Sequence, residues 1–422
     1  MRPSPLFFRL LYPLLSCFLF LLCSGCVGGT SFRELKAFFG TPPQEVATVP
    51  PVAPPLSPVV PTLAEPAVPV AIPPTATTPS LPRQPRSSRF RELPDSTYRS
   101  RILTEDTTWR GQVLIEGALT VAPQATLVIT PGTTVRFRPT PEGGAGLLLI
   151  RGRVLATGSS DHPILFTSDE INPALGDWQG IMVLDSSKKN LLEWCRVEGA
   201  VTGISARFSD LLLRQSSFTQ CRTGVALVSA TLLLFGGGVS ECLTGLLNRD
   251  GDADLSGGIF SNNGRGIVVN GGSLFLSATE VTGSTGNALV ATGARLHLEG
   301  NSFDRNGAGV MLTGCRGDLL GNRVEKNGKV GVEFADAPLR ISGNRIAGNG
   351  GVGVMVRSGG GTLWDNVLEG NGDGELVVTG SEEVAASANW WGSADPARIR
   401  KLIREGSEAK VLFTPFLEVP PR

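Results

Sequence analysis

The chain has 422 residues, and its 38 basic side chains equal its 38 acidic ones, so the formal net charge at pH 7 is zero. This balance gives no overall attraction to nucleic acid, and we predict no nucleic-acid partner. Histidine occurs only as His162 and His297, which leaves little scope for histidine-based metal sites or catalytic triads. We therefore expect neither a metal nor another cofactor.

Residues 1–25 have the pattern of an export signal. Two arginines precede an apolar run of 13 residues, and small residues follow it. This order is typical of signal peptides, and the run is short for a membrane-spanning helix. The segment resembles a bacterial lipoprotein signal, in which Ser24 and Gly25 precede a lipid-accepting Cys26. The resemblance implies an exported outer-membrane lipoprotein, facing the periplasm or the cell surface, whose lipid attaches it to the membrane. Secretion without a lipid and a retained membrane anchor are the alternatives.

Residues 26–104 form a proline-rich stretch in which positions 41–86 hold 15 of the 30 prolines. Proline disrupts both helix and sheet and favours the extended polyproline II conformation. We predict a disordered or semi-rigid stalk that holds the folded part away from a membrane.

A repeat of 21–22 residues dominates the rest of the chain. Glycine, replaced once by alanine, precedes an apolar stretch in every repeat, at positions 203, 224, 245, 266, 288, 309, 331, 353 and 374. A second series ends in asparagines, and it consists of Ser216, Gly237, Gly258, Thr279, Asn301, Asn322, Asn344, Asn366 and Asn389. A fixed period of this size indicates a solenoid.

Each repeat holds three apolar stretches of three to five residues with alternating polarity, and none has a helical period. The sequence thus predicts an all-β, single-stranded parallel β-helix with three short strands in each of about 11–13 coils. Residues 105–195 are assigned to N-terminal coils, 196–388 to regular repeats and 389–422 to a C-terminal cap with a short helix. Glycines are expected at sharp bends with positive φ, and stacked asparagines are expected to be structural.

The repeats resemble the right-handed parallel β-helix superfamily, which includes pectate-lyase-like enzymes and NosD-type proteins. Three further stretches carry the same resemblance, namely 117–139, 161–183 and 389–417. It implies the right-handed form of the fold. It does not decide activity, because this superfamily contains lyases, hydrolases, epimerases and scaffolds.

One outward column has the chemistry of a ligand site. Four residues before the asparagine series, successive repeats carry Asp254, Phe275, His297, Asp318 and Arg340. Phe275 is suited to stacking on a sugar ring, and Asp318 to orienting His297 as a base. An ordinary solvated column, in which Asp318 pairs with Arg340, is the alternative.

Two acidic arrangements are weaker candidates. Asp304 and Glu325 occupy equivalent positions of neighbouring coils, which suggests either a carboxylate pair of the glycosidase type or a polar rim. The "DGDAD" segment at 250–254 alternates carboxylates as a calcium loop does, but it lacks the glycine and distant glutamate of an EF-hand. A solvated turn is the alternative there.

Another outward column is mostly apolar, and it consists of Ser205, Ala226, Leu247, Val268, Val290, Met311, Glu333 and Met355. Such a row indicates a docking surface for an envelope protein, a surface covered by other residues of the chain, or a register that buries it. Cys221 and Cys242 occupy one slot in successive coils and are predicted to form either a disulfide or a stacked pair of thiols.

These observations favour an exported, lipid-anchored envelope protein that acts as a non-enzymatic scaffold or recognition module, with polysaccharide or peptidoglycan as its expected ligand. The alternatives are a polysaccharide-active enzyme, whether lyase, hydrolase or epimerase, and an assembly partner of another envelope protein. An enzyme is expected to place clustered acids and bases on adjacent coils.

Overall fold

The computed structural model describes residues 93–140, 146–170 and 174–421. The lipoprotein-type segment 1–25, including Cys26 beyond it, and most of the proline-rich stretch lie outside the described residues. The described chain contains 39 strands and one α-helix.

The strands of the first coils are β1 (Ser96–Leu103), β2 (Thr107–Trp109), β3 (Gln112–Val121), β4 (Thr126–Ile129), β5 (Thr134–Arg138), β6 (Leu147–Ile150), β7 (Arg153–Thr157), β8 (Ile164–Ser168), β9 (Trp178–Leu184), β10 (Asn190–Glu193) and β11 (Cys195–Glu198). The regular coils begin with β12 (Ala200–Arg207), β13 (Asp210–Arg214), β14 (Ser217–Thr219), β15 (Thr223–Val228), β16 (Thr231–Phe235), β17 (Gly238–Ser240), β18 (Thr244–Arg249), β19 (Asp252–Ser256), β20 (Ile259–Ser261), β21 (Arg265–Asn270), β22 (Ser273–Ser277), β23 (Glu280–Thr282) and β24 (Asn287–Thr292).

The coils continue with β25 (Arg295–Glu299), β26 (Ser302–Asp304), β27 (Ala308–Thr313), β28 (Arg316–Leu320), β29 (Arg323–Glu325), β30 (Val332–Ala335), β31 (Leu339–Ser342), β32 (Arg345–Ala347), β33 (Val354–Val356), β34 (Gly361–Trp364), β35 (Val367–Glu369), β36 (Leu376–Val378) and β37 (Glu383–Ala385). The chain closes with helix α1 (Pro396–Leu402), β38 (Ile403–Glu405) and β39 (Lys410–Leu412).

All registered pairings between these strands are parallel, and they define three faces. Face 1 contains the second half of β3, then β6, β9 and every third strand to β36, followed by β38. Face 2 contains β2, β4, β7, β10 and every third strand to β37, followed by β39. Face 3 contains the first half of β3, then β5, β8, β11 and every third strand to β35. The predicted parallel β-helix with three strands per coil is confirmed, with about 13 turns.

The core consists of apolar side chains stacked coil on coil. Alternation along each strand places every second residue inside, as Val310 and Leu312 show, each 1% exposed, whereas Met311 between them points outward. Phe218, Phe260 and Phe303 are buried in the face 3 strands of alternate coils. This continuous stack allows thin coils to fold together, because no single coil buries its own apolar face.

Two ladders of buried asparagines run parallel to the helix axis and confirm the structural role predicted for the asparagine series. In the predicted series, Asn322 Nδ2 donates to Asn344 Oδ1 at 2.9 Å, and the amide of Asn322 donates to the same oxygen at 2.8 Å. A second ladder follows each face 3 strand and contains Asn306, Asn327, Asn349 and Asn371. Each ladder supplies partners for backbone groups at a bend, where the strand pairing stops.

The glycines preceding face 1 strands are required for a reason other than the predicted one. Gly203, Gly309 and Gly331 do not have positive φ, but a Cβ on each would approach a carbonyl oxygen of the next coil at 2.1–2.7 Å. The expected positive φ occurs instead directly before the asparagine series, as at Gly321 with φ 62°. Close stacking of coils, rather than backbone handedness, fixes the first glycine column.

The N-terminal boundary requires a correction. Strand β1 lies within the stretch 26–104 that was assigned to the stalk, and it pairs in parallel with β3 from Ser96 to Leu103. The stretch was misassigned because β1 exposes most of its side chains and lacks the alternation of a half-buried strand. The β-helix therefore includes residues before 105.

The C-terminal cap largely follows the prediction. Asp395 accepts a hydrogen bond from the amide of Ala397 at 2.9 Å, and Pro396 occupies the first turn of α1. The helix ends at Leu402, because Ile403–Glu405 pairs with β36 instead of continuing it. The last strand, β39, ends at Leu412.

Candidate functional site

The predicted ligand column lies on the outer surface of face 2. Strands β19, β22, β25, β28 and β31 bring the five predicted residues into one straight row, because each pairs in register with its neighbour. Neighbouring members are therefore about 4.8 Å apart along the axis. We name this row the central column, and it consists of Asp254, Phe275, His297, Asp318 and Arg340.

Contacts within the central column are local and unequal. The rings of Phe275 and His297 lie 6.0 Å apart at a tilt of 44°, and the phenyl ring is 45% exposed. Arg340 Nε donates to Asp318 Oδ1 at 2.5 Å, and this hydrogen bond raises the pKa of Arg340. The solvated pair that formed the alternative interpretation is therefore present. Asp254 has no hydrogen bond or ion pair with the side chains that the structure describes.

His297 is not held as a catalytic base by Asp318. Its Nδ1 lies 3.9 Å from Asp318 Oδ2, which exceeds hydrogen-bond distance, while its Nε2 lies 3.3 Å from Glu299 Oε2. The imidazole is thus placed between two carboxylates and remains partly exposed. It is available to a ligand as a hydrogen-bonding group.

Two arginines beside the central column complete the surface. Arg295 and Arg316 are paired in register on β25 and β28, two positions before His297 and Asp318. Both are exposed, and neither side chain forms a hydrogen bond or ion pair with the part of the chain that the structure describes. Like charges directly opposite on paired strands repel each other, so this arrangement favours an anion from outside.

Carboxylates around the two arginines already have partners, including Asp336, which accepts from Ser358 at 2.8 Å. Asp318 accepts from Arg340, Asp252 accepts from Ser273 at 2.6 Å, and Glu299 lies beside His297. Arg295 and Arg316 are therefore unpaired cations of this surface within the described residues, and Asp254 is an unpaired carboxylate two coils from Arg295. The sequence carries a signal for them, since they follow Asp252 and Ser273 in a column of their own, two residues before the central column.

The acidic candidates are held in ion pairs with neighbouring arginines. Asp304 pairs with Arg305 at 2.9 Å, and Glu325 pairs with Arg323 at 2.8 Å and with Arg345 at 2.7 Å. Burial opposes ionisation of Glu325, but the two arginines outweigh it and lower its pKa. The polar-rim interpretation fits these pairs. In the described residues, including 250–254, no group of three or more His, Cys, Asp or Glu side chains could hold a metal ion.

The apolar column lies on face 1 and is half-buried. Ser205 and Val268 are each 8% exposed, and the other members are intermediate. Residues of this column line two shallow depressions of about 270 and 450 Å³, so it is not covered by other described residues. Strand β1 pairs at the N-terminal end of the solenoid and does not reach most of this column.

Cys221 and Cys242 occupy one slot of successive coils, for which the sequence predicts either a disulfide or a stacked pair of thiols. Both are free and buried, and the amide of Cys221 donates to Cys242 Sγ at 3.4 Å. Each Sγ also lies 3.3 Å from a carbonyl oxygen of its own coil. The sulfurs occupy slots of the second ladder, where the amide of Cys242 donates to Asn263 Oδ1 at 2.9 Å. They therefore interact with backbone groups and not through a covalent bond.

Comparisons with known families agree with this architecture. Residues 246–390 match the family described as right-handed β-helix region, and residues 101–205 match a pectate-lyase-like β-helix domain. The chain belongs to the pectate-lyase-like superfamily of right-handed parallel β-helices. The handedness taken from the sequence resemblance is thereby confirmed. No curated protein matches the sequence.

Solved structures similar to this chain include enzymes that act on alginate. The periplasmic alginate epimerase AlgG has 12% identity and a TM-score of 0.33, over 72% of this chain and 76% of that one. The A-module of the Azotobacter vinelandii mannuronan C-5 epimerase AlgE4 has 12% identity and a TM-score of 0.31, over 76% and 89%. An alginate lyase from Paenibacillus sp. strain FPU-7 has 11% identity and a TM-score of 0.21, over 72% and 98%. Similarity at this level does not assign an activity.

The described residues contain no helix that is long and apolar enough to cross a membrane.

Proposed function

We propose that this β-helix is a recognition module that binds an acidic polysaccharide across face 2. The observation that carries the proposal is the position of Arg295 and Arg316 beside the exposed phenyl ring of Phe275. The two arginines lie in register on neighbouring strands, and neither forms an ion pair within the described residues. A linear polyuronate provides what this surface lacks, namely carboxylates for the guanidinium groups and sugar faces for Phe275.

The shape of the surface supports a polymer as ligand. Side chains repeat about every 4.8 Å along a flat row, so one extended chain contacts several coils at once. The contacts are exposed, and each is worth little alone. Affinity therefore comes from several weak contacts along the polymer, as expected for a wall or capsule ligand rather than for a small metabolite.

A polysaccharide-active enzyme is the second candidate, and the position of His297 favours it. His297 lies two residues beyond Arg295 on β25, and Arg316 is paired with Arg295 on the next coil. Both arginines are suited to neutralise the carboxylate of a uronic acid. Neutralisation acidifies the proton on the adjacent ring carbon, and a histidine beside it is suited to abstract that proton. This geometry corresponds to lyase or epimerase chemistry rather than to hydrolysis, which uses paired carboxylates.

Binding is tested with the full chain in detergent and with polygalacturonate as the probe. We expect affinity for polygalacturonate, none for a neutral β-glucan, and a loss of about tenfold in the Arg295→Ala/Arg316→Ala variant, corresponding to about 1.4 kcal/mol. Arg249→Ala removes an exposed arginine from face 1 and is the matched control. Equal affinity in all three proteins would overturn the proposal.

The same samples separate binding from catalysis. Product length is measured by mass spectrometry, and deuterium uptake at the carbon beside the carboxylate is measured by NMR in heavy water. Shortened chains or deuterium uptake that disappear in His297→Ala would establish the enzyme. Unchanged polymer bound by the wild-type chain would support recognition alone.

We also propose that the module is exported and attached to the outer membrane through a lipid on Cys26. Recovery of the Cys26→Ala variant in the soluble periplasmic or culture fraction would support this proposal. Membrane association equal to that of the wild type would contradict it. An envelope protein docked on the apolar column of face 1 is a further proposal. Met311→Asp, which adds a charge to that column, is expected to disrupt such a complex.

A further inference from the structure

A second surface with unpaired cations lies where face 3 meets the C-terminal cap. Here β29, β32, β35 and α1 surround an open depression of about 770 Å³, which we name the C-terminal cleft. Its volume is within the range of small-molecule sites. Ala347 stands in register between Glu325 and Glu369, and its short side chain leaves the space between them.

The carboxylates in the cleft are held in fixed positions. Arg345 bridges Glu325 and Glu369, with nitrogen–oxygen distances of 2.7 and 2.8 Å. Arg323 holds the other oxygen of Glu325 at 2.8 Å, and the indole nitrogen of Trp390 donates to Glu369 at 3.0 Å. These oxygens are therefore oriented hydrogen-bond acceptors whose charge is already compensated.

Two cations in the cleft lack such compensation. Lys326 follows β29, and Arg398 lies on α1, and neither forms an ion pair or side-chain hydrogen bond within the described residues. The lining contains four cationic side chains and three acidic ones. One of the acids, Glu375, is 2% exposed, and burial raises its pKa despite hydrogen bonds from Asn371. The cleft is net positive whether or not Glu375 is ionised.

A buried donor in the wall is also unsatisfied. Trp391 is fully buried, and its indole N–H has no hydrogen-bond partner in the described structure. Buried donors are nearly always paired, so this group is an unusual feature of the wall.

We propose that the C-terminal cleft binds a small sugar acid, with its carboxylate on Lys326 and Arg398 and its hydroxyls on Glu325 and Glu369. A simple inorganic anion would use only the cations, whereas a sugar acid uses the cations and the oriented acceptors together. The ligand would join the coils to the cap, because Lys326 and Arg398 belong to different elements. This inference does not depend on the polymer site on face 2.

The test uses the full chain and D-glucuronate as the probe, followed by hydrogen–deuterium exchange of the amides in α1 and β38. We expect slower exchange there with glucuronate, and at least tenfold weaker binding in Lys326→Ala/Arg398→Ala. Arg404→Ala is the matched control, since it removes an exposed, unpaired arginine from the same cap outside the cleft. Its affinity should equal that of the wild type.

Three outcomes would overturn the inference. They are no binding of glucuronate, equal binding by Lys326→Ala/Arg398→Ala, and equal protection by inorganic phosphate, which would indicate a simple anion site. Arg295→Ala/Arg316→Ala should bind glucuronate in the cleft normally. Loss in that variant, with the cleft variant unaffected, would place the sugar acid on face 2 instead.

Discussion

The asparagine ladder predicts that a single buried substitution greatly lowers the free energy of unfolding. Asn322 lies within the first ladder, and Asn322→Ala removes four hydrogen bonds of its side chain. Its Nδ2 donates to Leu298 O at 2.8 Å and to Asn344 Oδ1 at 2.9 Å. Its Oδ1 accepts from both the amide and the Nδ2 of Asn301, each at 2.9 Å.

The magnitude follows from these four bonds. A net contribution of about 1 kcal/mol for each gives about 4 kcal/mol. Some partners keep another bond, since Asn301 Nδ2 also donates to Leu276 O at 2.8 Å, whereas the amide of Asn301 loses the acceptor that Asn322 supplies. A buried amide without an acceptor costs about 1–3 kcal/mol by itself, so the amide of Asn301 accounts for a large part of this loss of stability.

Urea denaturation of Asn322→Ala measures this loss, and hydrogen exchange shows whether the amide of Asn301 loses protection. Asn270→Ala is the matched control, because Asn270 is an exposed strand residue and surface changes of this type usually stay within about 0.5 kcal/mol. A loss below about 1 kcal/mol in Asn322→Ala, with Asn301 still protected, would refute the reasoning. The ladder would then be a consequence of stacking rather than a cause of stability.

Three further predictions concern packing, thiols and pH. Gly309→Ala should lower the free energy of unfolding by about 1–3 kcal/mol, because its Cβ would approach Gly331 O at 2.1 Å; an unchanged urea midpoint would contradict this. The four buried cysteines should resist iodoacetamide in the native state, where burial raises the pKa of Cys195 to about 12. After denaturation without reductant, all four should react. A pair that stays unreactive after denaturation would show a disulfide. Burial raises the pKa of Glu375, so its contribution to stability is present below its ordinary value of 4.5 and is lost as pH rises through the native value. Glu375→Gln should flatten that decline in urea midpoints measured across the pH range, and an unchanged slope would refute it.

Sequence periodicity predicted the fold well, because in a solenoid every coil repeats the same physical problem. The asparagine series marked one bend of each coil, and the alternation around Met311 assigned inside and outside correctly. β1 was missed because it follows no repeat and exposes most of its residues. The reason for the Gly309 column was also missed, since distances between coils are not visible in a single sequence.

The candidate site was predicted only in part. The register of the central column followed directly from the period, and so did the pairing of Asp318 with Arg340. The orientation of His297 toward Glu299 did not, because a side-chain torsion decides it. Arg295 and Arg316 required knowledge of which nearby carboxylates were already paired, and the C-terminal cleft required the position of α1 against face 3.

The most direct measurement of the central claim is a crystal structure of the chain with a short uronate oligosaccharide. Our account predicts density along face 2, with sugar carboxylates within hydrogen-bond distance of Arg295 and Arg316 and one ring against Phe275. Density on the apolar depressions of face 1, or a face 2 surface without ligand under saturating oligosaccharide, would contradict it.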